Sequence, residues 1–187
     1  SYSYMALGLT SLFKKKVAEE KVAELFVNIS FNSVDTSFAE VAEILNNDIN
    51  LVNKGNIDPT NQDDFLLIVI AGNYHLLDDY FFEGQEDRIK ELIITKLSSI
   101  YGLSAEAMLT VLTNQLAWFK KINYPSKNTH YAMSRAVFLK YNLNDFQKDY
   151  FRKLKAPDPI LLKNIDEVME QFIIKWDTFT EKYRITD

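Results

Sequence analysis

The sequence predicts an all-α fold, a single-domain helical bundle of about seven to eight helices. Three observations carry this reading. Apolar residues recur at intervals of three and four along nearly the whole chain. Only 5 Gly and 4 Pro are available for the tight turns that an all-β fold needs. At 187 residues the chain is long enough for one well-formed core, so one domain over 1–187 is expected.

The elements follow in order. Residues 1–10 are expected to be disordered, and Ser1–Tyr4 carry no weight in the fold argument. A first helix is expected from about Ser11 to Ile29, burying Val22, Leu25, Phe26 and Ile29. The polar stretch Asn28–Thr36 loosens the pattern. A second helix is expected near Ser37, where Ser37 and Glu40 have capping-box spacing and Phe38, Val41, Ala42 and Leu45 face inward. Residues 46–64 are rich in Asn and Asp, whose side chains bond their own backbone and favour turns, and read as a surface loop.

Phe65–Phe82 opens with six large apolar residues and marks the expected centre of the core. Its Ile-Val-Ile run is β-prone. The spacing Phe65, Ile68, Val69, Gly72, Leu76 is helical, and helix is preferred. Gln85–Tyr101 carries Ile89, Leu92, Ile93, Leu97 and Ile100 and stops at Gly102. Ser104 caps a helix to about Ile122, with Met108, Leu109, Leu112, Leu116 and Phe119 in register. Tyr124-Pro125 breaks the chain, and helices near Thr129–Tyr141 and Asp145–Leu154 come next. Asp158-Pro159 opens a long last helix whose stripe runs without a break from Leu161 through Phe172 and Trp176 to Tyr183.

Composition excludes several function classes. With no cysteine there is no disulfide, zinc-thiolate site, iron–sulfur cluster or thiol nucleophile. The absence fits a reducing cytosol, and a cytoplasmic location is expected. No apolar run reaches the roughly 20 residues that cross a bilayer. Lys14-Lys15-Lys16 reads as a solvated helix start, so peripheral membrane contact is disfavoured. Gly-rich phosphate loops, nucleophile elbows and His-Glu-x-x-His motifs are absent. The 46–64 loop places Val52 and Lys54 where a calcium loop needs oxygen ligands.

Two constellations remain. His75, Asp78 and Asp79 sit at helical spacing, and His130 and Arg135 lie downstream. Such side chains can line a polar ligand site between helices. On a helical wheel, however, His75, Asp78 and Asp79 fall opposite Leu76, Leu77, Tyr80 and Phe81, on a solvated face. No catalytic residue, metal ligand set or cofactor is assigned.

The second constellation is a cationic block. Residues 107–157 hold nine basic and two acidic side chains in a chain of net charge -5. Lys120, Lys121, Lys127, Lys148, Arg152 and Lys153 stand among Trp118, Tyr124, Tyr131, Phe146 and Tyr150. Basic charge among rings suits an anionic partner. It serves equally well to balance acidic helices of the same bundle. A pI near 5.1 disfavours a dedicated nucleic-acid binder.

The function expected is non-catalytic, a protein–protein interaction or self-associating module whose partner is a protein or another copy. The alternatives are a small-ligand-binding protein or enzyme with an inter-helix pocket, and a nucleic-acid or phosphate binder using 107–157.

Overall fold

The computed structural model describes residues 14–187, and the expectations for residues 1–10 and for Ser11–Phe13 fall outside it. The all-α class is observed. Among the described residues there are eight α-helices, two 3₁₀ turns and one pair of short strands. In chain order they are β1 (Lys15–Ala18), α1 (Glu19–Asn46), α2 (Asp63–Leu76), α3 (Gln85–Tyr101), α4 (Ala105–Asn123), α5 (Thr129–Lys140), α6 (Asp149–Leu154), α7 (Pro159–Glu170), α8 (Trp176–Lys182) and β2 (Tyr183–Thr186). The 3₁₀ turns are Leu77–Asp79 and Leu143–Phe146. No single helix among the described residues is long and apolar enough to cross a membrane.

The chain divides into two compact units. Of the described residues, the first holds 14–28, Leu77–Met108 and Ile174–Asp187. Its strands pair in parallel, with Lys15 opposite Tyr183 and Ala18 opposite Thr186. The Arg88 guanidinium donates from Nε and Nη2 to the buried Glu19 carboxylate, with the shortest contact at 2.8 Å. Lys96 pairs with Glu20, and Lys90 with Asp78, both at 2.6 Å. Phe81, Trp176, Phe179 and Tyr183 stack edge to face or tilted, with centroids 4.7 to 5.6 Å apart.

The second unit holds Ile29–Leu76 and Leu109–Ile173. Helix α2 is its centre, with Phe65, Ile68, Val69, Ile70 and Ala71 fully buried. Helix α2 packs on α5, and α5 on α7. Gly72 permits the first contact, because a Cβ there would run into the Met133 side chain. Phe38, Phe65 and Phe172 form a ring stack, with centroids 5.1 and 4.9 Å apart.

Several expectations need correction. Helix α1 runs straight through Asn28–Thr36. The hydroxyls there bond back to their own helix, Ser33 Oγ to the Ser30 carbonyl and Thr36 Oγ1 to the Asn32 carbonyl at 2.7 Å. Val34 and Phe38 keep the helix buried, so no cap forms at Ser37. The stretch before Glu19 is strand, and Lys14 Nζ donates to the Thr180 carbonyl. Ile29, Ile100 and Leu109 are 41%, 53% and 45% exposed, not inward.

The last helix is two. Asn73, buried on α2, donates from Nδ2 to the Phe172 carbonyl at 2.8 Å. That carbonyl lies in the gap between α7 and α8, where the helical ladder is interrupted. The Asp145–Leu154 helix likewise divides, into the second 3₁₀ turn and α6. Two boundary signals, one stop and one start, do act as read. Gly102 closes α3 at φ 66°, and Asp158 Oδ1 accepts from the Ile160 N–H at 2.8 Å.

Residues 47–62 form no helix and are stapled at both ends of their first half. Asn46 donates from Nδ2 to the Ile57 carbonyl and accepts the Ile57 N–H on Oδ1. Leu51 bridges Gln147, and Asn164 Nδ2 donates to Asp48 Oδ2.

Candidate functional site

A concavity in the second unit lies between α4, the turn after it, and the start of α5, with the end of α2 at its rim. Its volume is about 570 Å³, within the range of small-molecule sites. Thr113, Leu116, Ala117 and Lys120 line it from α4. Their spacing of three, four and seven places them on one helical face. Thr129 and Ala132 line it from α5, and His75 from the last turn of α2.

Asn123 builds the turn between the two helices. Its buried side chain donates from Nδ2 to the Asn128 carbonyl at 2.9 Å. Asn128 in turn accepts the Tyr131 N–H on Oδ1 at 3.0 Å and so caps α5. The Tyr124–Pro125 peptide of this turn is cis. Ser126, Lys127 and Asn128 complete the lining.

The chemistry of the lining is one-sided. Lys120, Lys127 and His75 are the titratable side chains in it, and no carboxylate is among them. Three hydroxyl residues and two amides add neutral hydrogen-bonding groups, while Leu116, Ala117, Phe119 and Ala132 form an apolar wall. The N-terminus of α5 contributes the positive end of its dipole. Neither Lys120, Lys121 nor Lys127 has an ion-pair partner among the described residues. Elsewhere in the block, Arg152 pairs with Asp149 at 2.6 Å and Lys140 Nζ sits 5.1 Å from the Trp118 ring centroid.

The residues anticipated from sequence separate. His75 lines the cavity. His130 does not, and its Nε2 lies 2.6 Å from the Asp166 carbonyl, tying α5 to α7. Arg135 is half-buried on α5 and does not line this cavity. Asp78 belongs to the first unit, where it pairs with Lys90. Asp79 is exposed in the 3₁₀ turn; Tyr80 is held above the usual phenol range by burial, with Asp177 and Asp79 adding to it. Helix α2 ends at Leu76, so the expected continuous helical face over His75–Asp79 does not form.

The six cations divide as well. Lys120 and Lys127 line the cavity, and Lys120 and Lys121 line a shallow groove beside it together with Ala117 and Tyr124. Lys148, Arg152 and Lys153 lie on or next to α6 and line neither. Sequence reasoning missed Thr113, Asn123 and Asn128. The Thr113–Lys120 spacing was readable, but the apolar Leu116 in its midst drew that face into the core. Among the described residues no group of three or more His, Asp or Glu side chains is placed to hold a metal ion.

The sequence matches no family model, and neither a curated protein nor a solved structure matches it.

Proposed function

We propose that this protein binds a small anionic ligand in the cavity between α4 and α5. One observation carries the reading: Lys120 and Lys127 converge there with His75 in a lining that holds no carboxylate. Unpaired ammonium groups beside an apolar wall favour a ligand with a charged head and an apolar body. No nucleophile–base pair stands in the lining, so binding without chemistry is the activity supported.

The test is titration of inorganic pyrophosphate followed by calorimetry. Saturable binding is expected, weakening with salt. The Lys120→Glu/Lys127→Glu double variant loses at least about tenfold in affinity, because two attractive charges become repulsive. Lys148→Glu, outside the cavity, leaves affinity unchanged. Absence of binding up to about 10 mM, a floor for specific recognition, overturns the proposal.

A second reading, self-association, is favoured by a separate face of the same unit. Ile49 is 92% exposed and Ile160 is 60% exposed. Their segments meet, since Asn164, one turn after Ile160, bonds to Asp48, next to Ile49. Lys148, Arg152 and Lys153 are exposed nearby in the chain, and a second copy of net charge -5 offers acidic surface to meet them. Sedimentation velocity is expected to show a dimer at low salt that dissociates near about 0.5 M salt, where charge attraction is screened. Ile49→Asp/Ile160→Asp is expected to be monomeric. A monomer under all conditions sinks this reading.

A further inference from the structure

The cavity does not end at Lys120. A shallow groove of about 450 Å³ shares Ala117 and Lys120 with it and continues over Lys121 to Tyr124. Tyr124 is 81% exposed, and among the described rings only Phe82, at 83%, is more open. A phenol ring left this open offers both faces to a planar group. Tyr124 directly follows α4, four residues after Lys120, and both side chains line the groove. The ribose of a nucleotide joins its phosphates to its base, and the groove likewise joins the lysine-lined cavity to the Tyr124 ring.

Resting on the ligand-binding reading above, we propose that the ligand is a mononucleotide carrying two or more phosphates. The phosphates occupy the cavity, held by Lys120, Lys127 and the first N–H groups of α5. The base leaves the cavity over Ala117 and stacks on Tyr124, with Lys121 flanking the ring. Two features separate this ligand from a simple anion. The groove shares Lys120 with the cavity, and the planar side chain of Tyr124 stands at the groove's far end. A polyanionic strand is the weaker fit, because the cationic lining stops at a cavity with an apolar wall instead of running on as a channel.

The experiment compares ADP, pyrophosphate and an oligoadenylate strand by calorimetry on the full chain. ADP is expected to bind about tenfold more tightly than pyrophosphate, the contribution of one stacked base. Tyr124→Ala is expected to remove that difference and to leave pyrophosphate affinity unchanged. Tyr124→Phe keeps it. Because Tyr124 is exposed, the variants fold as the parent does, which circular dichroism checks. Equal affinity for ADP and pyrophosphate, with Tyr124→Ala silent, overturns the mononucleotide assignment and leaves anion binding standing. Failure of both ligands to bind overturns the two together. Tighter binding of the strand than of ADP per site overturns the assignment in favour of nucleic acid.

Discussion

Gln147 places its whole amide on backbone and side-chain groups of one loop. Its Nε2 donates to the Ala156 carbonyl at 2.8 Å and to Asn144 Oδ1 at 3.0 Å, and its Oε1 accepts the Asp158 N–H at 2.7 Å. The residue is only 3% exposed, so none of these groups has ready access to water when the amide is removed. Gln147→Leu therefore leaves a carbonyl and an N–H without partners and is expected to cost about 2–4 kcal/mol. A urea titration at unchanged slope reads this as a lower midpoint. A loss below about 0.5 kcal/mol would show that the loop re-forms its bonds elsewhere. Asn46 does the same work for Ile57. Both amides were invisible to periodicity, which assigns polar residues to the surface. Their burial follows from backbone groups that need partners, and a sequence does not show which backbone groups those are.

At the scale of elements, the readable parts were those set by local chemistry. Gly102 ends a helix because its left-handed φ suits glycine, and Asp158 starts one because its carboxylate reaches the second N–H beyond it. The apolar half of Phe65–Phe82 is a buried helix, as its spacing indicated. The unreadable parts were set by contacts distant in sequence. The α7–α8 break coincides with a donor 99 residues away, Asn73, and the apolar stripe runs across it undisturbed. Asn73→Leu removes that donor from a buried carbonyl and is expected to destabilise the protein by about 1–3 kcal/mol. Hydrogen exchange should show faster exchange of the amides at 171–175 than in the parent. Unchanged protection there would mean that the Asn73 bond does not hold the break. Conversely, Asn28–Thr36 reads as a break and is none, because Ser33 and Thr36 return their hydroxyls to the helix they occupy.

For the whole molecule, the sequence located the cations but not their grouping. Lys120, Lys121 and Lys127 are near one another in the chain and share neighbouring concavities. His75, far from them in sequence, joins them only through the end of α2. The cationic block thus divides into a part that lines a cavity and a part, Lys148 to Lys153, that does not. Nothing in the charge count separates them; the helical face of α4 does.

The strand pair in the first unit was unforeseen, since its partners lie at opposite ends of the described chain. Its parallel register has a mechanical consequence. Lys15 and Thr186 stand at opposite ends of the ribbon. Tension applied upstream of Lys15 and downstream of Thr186 therefore runs along the strands and loads their hydrogen bonds together, in shear. An antiparallel hairpin pulled from adjacent ends would yield one bond at a time. The short β1–β2 ladder is thus placed as a clasp that such tension would load in shear.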